Sequence, residues 1–370
     1  MGEFKLAMMK GSVNTVEKIS IQTAEVLKEK PQIEGIPFGH CFTDHMFLMN
    51  YNEGQGWHDP RIVPFANLSI SPAAMVFHYA QEIFEGMKAY RGKDGSILLF
   101  RPEENIRRMN SSARRMCIPE IPEDSFMDGL KALVELEKDW VPKEDNSSLY
   151  IRPFVIATDE HLGVHASKSY LFAIITSPVG SYYPQGLNPV RIMIENADVR
   201  AVKGGTGFTK CGGNYAASLR ASERAEKLGY TQVLWLDGIT RRNIEEVGAM
   251  NVMFKIGGKI ITPALTGSVL PGITRASAIQ VLKSWGYTVE EREFTVDELV
   301  EAAVNGTLEE AWGTGTAAVI SPIGEISFEG TDYLINHNKI GELTQKLYDT
   351  LTGIQWGKLE DTFNWSVKVC

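Results

Sequence analysis

Lys210 lies in Lys203-Gly-Gly-Thr-Gly-Phe-Thr-Lys-Cys-Gly-Gly-Asn-Tyr215, with glycines at 204, 205, 207, 212 and 213 around it. Residues without side chains let the backbone turn sharply and let a ligand come close. A lysine framed that way can point into a site rather than into water. Out of water it gives up its proton more readily, and the neutral amine attacks carbonyl groups. The bland alternative is one more solvated lysine on a surface loop. Three features downstream favour the chemical reading. Glu246, in Asn243-Ile-Glu-Glu-Val-Gly-Ala-Met-Asn251, follows a strand and turn, a place from which a carboxylate can pair with a protonated ring nitrogen. Its neighbour Glu245 reads as a solvated acid of a turn. Gly272-Ile273-Thr274 opens a helix, where unpaired N–H groups and the dipole attract phosphate. Thr314-Gly-Thr316-Ala317 offers hydroxyls and N–H groups in a tight turn. Each feature alone is common. Lysine, distant acid and two phosphate-type turns together fit one cofactor, pyridoxal 5′-phosphate.

Other constellations carry less. Gly313-x-Gly315-x-x-Ala318 has the spacing of a dinucleotide fingerprint, but that motif needs a helix after it, and Val319-Ile-Ser-Pro322 does not continue as one. His161 and His165 have the i,i+4 spacing that holds zinc on a helix. They lie in a run with no helical pattern and no third ligand, so they are expected to be loop residues and no metal is expected. Arg107-Arg108 and Arg114-Arg115 are expected to cover a helix face, with one arginine free to reach inward. The cysteines at 41, 117, 211 and 370 are far apart and form no C-x-x-C. Free thiols in a reducing cytoplasm account for them, with Cys211 as packing.

The elements that must position these groups are legible in outline. The chain has 370 residues, more than one core usually holds, so two domains are expected. Its net charge of −9 argues against nucleic acid or an anionic membrane as main partner. No apolar run approaches the ~18 residues a membrane span needs, and the first ten residues lack the apolar core of a secretory signal. Strands are expected over Phe42–Met49, Ser148–Pro153, Tyr170–Thr176, Val190–Ile194 and Gln232–Leu236. Met87–Tyr90 with Ile97–Phe100, and Val252–Ile256 with Lys259–Thr262, read as hairpins on glycine turns. Glu310–Ile320 is strand-like. Pro60–Pro72 reads as extended or loop. Helices are expected over Ala74–Ile83, Pro102–Met116, Phe126–Trp140, Asn214–Leu228, from Leu270-Pro-Gly-Ile-Thr-Arg275 to Trp285, Val296–Val304 and Ile340–Leu351. The fold class is therefore α+β, a mixed α/β chain. An N-terminal domain would span 1–178 and a C-terminal domain 190–370, joined by a Pro- and Gly-containing linker at 179–189.

Several stretches also resemble a known family. Phe38-Gly-His-Cys-Phe-Thr-Asp-His-Met46, Phe84-Glu-Gly-Met-Lys-Ala-Tyr90, Leu149-Tyr-Ile-Arg-Pro153, Lys210-Cys-Gly-Gly-Asn-Tyr215, Glu246-Val-Gly-Ala-Met-Asn251 and Leu270-Pro-Gly-Ile-Thr-Arg275 are similar, in this order, to motifs of the branched-chain amino-acid aminotransferases. These are fold-type IV enzymes of pyridoxal phosphate, with a small N-terminal domain, a larger C-terminal one and the site between them. The resemblance implies transfer of the amino group of leucine, isoleucine or valine to 2-oxoglutarate. It implies that Lys210 holds the cofactor as a Schiff base and shuttles the proton, that Glu246 faces the ring nitrogen and Tyr215 the ring hydroxyl. Arg108, Ile273, Thr274 and Thr316 would hold the phosphate. Tyr79, Thr316 and Ala317 would grip the substrate α-carboxylate. Phe38, Phe84, Tyr150 and Tyr182 would wall the side-chain pocket, and Arg152 would receive glutamate's second carboxylate. Leu162 and Val164 match a loop lent to the partner's pocket in a cytoplasmic homodimer.

Two departures stand out. Ala317-Ala-Val-Ile320 replaces the C-x-x-C of mammalian members, and Ala249 replaces a common threonine. A relative of the same fold acting on D-amino acids, or as an aminodeoxychorismate lyase, is disfavoured by Arg152 and the aromatic set. A catalytically dead cofactor carrier is disfavoured by intact Lys210, Glu246 and Arg108.

Overall fold

The chain builds two sheets, each almost wholly from one half; Tyr150 and Arg152 lie on a central strand of the first and Glu246 on an edge strand of the second. The computed structural model describes residues 18–181 and 187–370, so Tyr182 lies outside the described residues. The first half runs β1 (Ser20–Ile21), β2 (His45–Asn52), β3 (Gly56–Pro64), α1 (Met75–Tyr79), β4 (Glu82–Phe84), β5 (Met87–Arg91), β6 (Ile97–Phe100), α2 (Pro102–Arg115), α3 (Glu123–Leu136), β7 (Ser148–Ala157) and β8 (Ser169–Val179). The second runs β9 (Val190–Glu195), α4 (Gly212–Ala216), α5 (Leu219–Lys227), β10 (Gln232–Leu236), β11 (Ile244–Val247), β12 (Asn251–Ile256), β13 (Lys259–Pro263), α6 (Ile273–Ser284), β14 (Val289–Arg292), α7 (Val296–Val304), β15 (Leu308–Gly315), β16 (Val319–Phe328), β17 (Thr331–Leu334), α8 (Glu342–Gln355) and β18 (Ser366–Lys368).

The first sheet has the order β1-β3-β2-β8-β7-β5-β6-β18, with β4 also paired to β7. The second has the order β11-β10-β9-β16-β15-β12-β13-β14, with β17 on β16. The last strand, β18, thus leaves the second half of the chain and pairs antiparallel with β6 of the first sheet.

Alternation along β7 shows how the first sheet serves the site. Leu149, Ile151, Val155 and Ala157 belong to the core under α2 and α3. Tyr150 and Arg152 fall on the opposite face, because successive side chains of a strand alternate. In the neighbouring β5, Met87 and Ala89 enter the same core, which turns Lys88 to the face of Tyr150, its partner in register. Cys211 also packs in this core, as packing was expected of it.

Several expected elements are shorter or displaced. The helix expected over Ala74–Ile83 is only α1; Ala80 takes the left-handed conformation at φ 49°, and Glu82–Phe84 then pair with Phe154–Ile156 as a strand. The helix expected over Asn214–Leu228 is two, α4 and α5. The first part of Pro60–Pro72 belongs to β3. Glu246 follows β10 and its turn, as expected, and lies inside the next strand, β11, opposite Trp235. Glu245 is buried, not solvated, because β11 is covered along its whole length. His161 and His165 are loop residues with their rings edge to face. Among the described residues no group of acids, histidines and cysteines is placed to hold a metal ion, and no helix is long and apolar enough to cross a membrane.

Gly129 of α3 shows how closely helix and sheet pack. A Cβ added there would stand 2.7 Å from the ring of Phe47 on β2. Helix propensity alone makes Gly→Ala worth about 1 kcal/mol of stabilisation. Gly129→Ala should instead cost about 1–3 kcal/mol, as overpacking of a filled core does. The urea midpoint measures it, and a midpoint raised above that of the parent would contradict this packing.

Candidate active site

A cavity of about 320 Å³ opens between the sheets, lined from the first by Phe38, Phe84, Gly86, Arg108, Tyr150 and Arg152. The second contributes Lys210, Tyr215, Glu246, Ala249, Ile273, Thr274, Thr314, Thr316 and Ala317.

Lys210 is pinned from both sides. Its N–H donates to Ser112 Oγ of α2 at 3.0 Å, and its carbonyl accepts from Phe84 N–H of β4 at 2.9 Å. The glycines around it are required at two points. A Cβ at Gly207 would lie 2.3 Å from the Ser268 carbonyl, and one at Gly212 would lie 2.3 Å from the Glu82 carboxylate that accepts the Gly212 N–H. The amine itself stands 2.7 Å from the Tyr215 hydroxyl and 4.6 Å from the centre of the Phe84 ring. Burial, then the charge of Arg108, brings Lys210 down from its usual 10.5 to about 7. Burial, then the charge of Glu246, pushes the Tyr215 phenol up.

Charges flanking the amine are held in pairs. Arg108 on α2 grips Glu85 with two prongs, Nε and Nη2 each 2.8 Å from a different carboxylate oxygen. Asn105 donates to the same carboxylate at 2.8 Å. Burial alone would raise Glu85, but the Arg108 guanidinium prevails and holds it below the usual range. Glu246 accepts the Leu270 N–H at 2.7 Å through one oxygen. Its other oxygen lies 3.2 Å from Arg200 Nε. Burial raises Glu246 in spite of that arginine. Arg200 in turn donates to the Ser268 carbonyl, while the Ser268 hydroxyl donates to Glu245. Glu85, Arg200 and Lys88 were not singled out from the sequence. Phe84-Glu-Gly86 offered the one local signal, an acid enclosed in a motif otherwise apolar.

The remaining lining divides by chemistry. At one end Gly272 caps α6 without a side-chain bond, so the first N–H groups of the helix are unpaired by geometry. Arg108 Nη1 reaches the Pro271 carbonyl there at 3.2 Å, and the Thr316 hydroxyl donates to Gly86 O at 3.3 Å. At another end Phe38 meets Tyr150 edge to face, with centroids 4.8 Å apart. Arg152 lies 4.7 Å above the Phe84 ring and donates to the Tyr150 hydroxyl at 3.0 Å. Its buried Nε has no partner among the described residues. Three expected residues lie elsewhere in this chain. Tyr79 donates its hydroxyl to the Leu162 carbonyl, and Leu162 and Val164 are exposed. None of the three lines the cavity.

This donor set fits a phosphorylated pyridine aldehyde. It offers a desolvated amine, a phenol beside it, a buried carboxylate for a ring nitrogen, and an N–H cradle for phosphate. Gly272 forms the floor of that cradle, since a Cβ there would stand 1.9 Å from Asn251 Oδ1. Fold and site define a pyridoxal-phosphate enzyme, of mixed α/β fold-type IV architecture. Residues 82–326 match the family model described as amino-transferase class IV, and the chain belongs to that family. It is 54% identical to branched-chain-amino-acid aminotransferase 2 of Bacillus subtilis, across 96% of this chain and 98% of the relative. It is 55% identical to branched-chain-amino-acid transaminase 1 of the same organism, across 92% and 96%. Among solved structures it resembles the branched-chain amino acid aminotransferase of Escherichia coli, with TM-score 0.74, 25% identity, and 88% and 99% of the two chains covered.

Because Lys210 titrates near 7, its amine should react in neutral solution where surface lysines do not. In cofactor-free protein, acylation of Lys210 followed by peptide mapping should rise with pH through about 7. A rise only near 10, shared with the exposed lysines, would show a solvated amine.

Proposed function

We propose that this aminotransferase moves the amino group of leucine, isoleucine or valine to 2-oxoglutarate, as the names of its Bacillus relatives suggest. The observation that carries the reading is Arg152. Its guanidinium lies against Phe84 and Tyr150 with Nε unpartnered among the described residues, so one wall of the cavity offers both apolar surface and carboxylate-binding groups. An aliphatic side chain would pack on Phe38, Phe84 and Tyr150. A glutamate side chain would instead place its carboxylate on Arg152, which can take it through two parallel hydrogen bonds. The same pocket thus serves both half-reactions.

When bound, the cofactor would supply a carbonyl group reactive toward amines and a ring able to accept electrons. The chain's own groups do the rest. Lys210 Nζ, largely neutral above pH 7, takes the proton from the substrate Cα and returns it on the other side of the transfer. Glu246 keeps a proton at the ring nitrogen, with Arg200 and Leu270 N–H holding its carboxylate in place. Tyr215 orients the ring hydroxyl, and Arg108, Ile273, Thr274 and Thr316 anchor the phosphate. Thr316 and Ala317 bind the substrate α-carboxylate. Tyr79 would join them from the partner subunit, since in its own chain it is tied to the exposed loop of Leu162 and Val164. A cytoplasmic homodimer whose subunits exchange this loop accounts for those exposed apolar residues.

Arg152→Ala tests the substrate pair. KM for glutamate and 2-oxoglutarate should rise roughly ten- to a hundred-fold, the effect of losing a charged hydrogen bond of about 1.5–3 kcal/mol. KM for leucine in a single half-reaction should move far less. Equal losses for leucine and glutamate, with a lowered melting temperature, would make Arg152 a structural residue of β7 and remove the argument.

A further inference from the structure

Lys88 is buried, on the face of β5 turned toward the site, and the reading above gives it no task. Its ammonium donates to the Ala317 carbonyl at 2.7 Å, so it holds the Thr316–Ala317 turn from behind. Two residues earlier the same strand end takes the Thr316 hydroxyl on Gly86 O. Lys88 also shares a small cavity with Ile273, Thr274 and Thr316, the groups assigned to the phosphate. Among the described residues its ammonium has no ion-pair partner. Burial lowers it to about 8. Leaving a cation in a low-dielectric interior without a counter-charge is costly. Of the other cations of this region, Arg108 shares its charge between the phosphate and Glu85, which it holds through both oxygens, and Lys210 is largely neutral above pH 7. The phosphate would bring a negative charge to a turn that otherwise offers dipoles.

We propose that Lys88 is a positioning residue of the phosphate cradle, fixing the Thr316–Ala317 turn through the Ala317 carbonyl and supplying the counter-charge to the phosphate from behind it. This rests on the placement of the phosphate at the start of α6 and at that turn. Lys88 acts on affinity for the phosphorylated ligand and not on the proton transfer at Lys210.

The test is equilibrium binding by calorimetry of pyridoxamine 5′-phosphate and of pyridoxamine, neither of which bonds covalently to Lys210. In Lys88→Met the preference for the phosphorylated ligand should fall by about tenfold or more, as the loss of a charge interaction inside the protein does, while pyridoxamine binds as before. Lys88→Arg should restore much of the preference. If Lys88→Met does not fold, Lys88→Gln takes its place, since it keeps a donor and drops the charge; the same fall is expected. A preference unchanged in the neutral variant overturns the proposal, and so does an equal loss for both ligands. A double variant, Ile273→Pro with Thr316→Ala, separates the two levels, since proline is tolerated at the first helical position and removes an N–H of the cradle. If it loses preference while the Lys88 variant does not, only the role of Lys88 fails. If neither loses preference, the placement of the phosphate fails with it.

Discussion

Taking a lysine amine largely out of water is the constraint on which this site depends. A charged ammonium resists that transfer, and the protein meets the resistance by letting Lys210 shed its proton near neutrality. The choice shapes everything adjacent. The charges of Arg108 and Arg152 add to the effect of burial, and the arginines that hold the buried acids are answered in turn. Arg108 is answered by Glu85, and Arg200 by Glu246. The backbone carries part of the load as well, through the Leu270 N–H on Glu246 and the Gly212 N–H on Glu82. Glu82 and Glu246 are raised by their burial, so these N–H donors and arginines are what keep them serviceable as carboxylates.

The cavity is a joint product of the two sheets. The first contributes an aromatic wall and the Arg152 guanidinium, set on alternate positions of β7 so that the core-facing residues between them stay apolar. The second contributes the amine, the acid and the helix start. Close approach of the two depends on glycine where a side chain would collide. A Cβ at Gly212 of the second half would lie 2.3 Å from the Glu82 carboxylate of the first. Short polar links between the sheets, Lys210 to Phe84 and Lys88 to Ala317, span the approach.

Much of this was legible in the chain itself, and the limits are instructive. Lys210 stood out because its glycines are neighbours in sequence, and Gly272 because a helix start is a local pattern. The partners of the charges were not legible. Glu85 lies 23 residues from Arg108, and Lys88 lies 229 residues from Ala317. No periodicity links such pairs; only folding brings them together. Glu245 was misread for the same reason, since burial of β11 comes from elements elsewhere in the chain. The stretch Ala74–Ile83 shows a different failure. Its composition suits a helix throughout, yet pairing with β7 claims Glu82–Phe84 as strand. There tertiary hydrogen bonding outweighs local propensity, and the exchange places Phe84 against the lysine.

The strand β18 gives the molecule an unusual kind of closure. Ser366, Val367 and Lys368 pair with Phe100, Leu99 and Leu98, and the backbone bonds Arg101 N–H to Trp365 O and Val369 N–H to Ile97 O extend the ladder on either side. The chain therefore crosses between its sheets twice, once before β9 and once after α8, so that covalent bonds and a β-ladder together form a ring. Cutting the first crossing would not release the halves, because the second still holds them at the high effective concentration of a tethered pair. The same ring removes much of the freedom that a single hinge would leave to the cleft. The two walls of the cavity are strapped at both ends, like a book with a spine and a clasp.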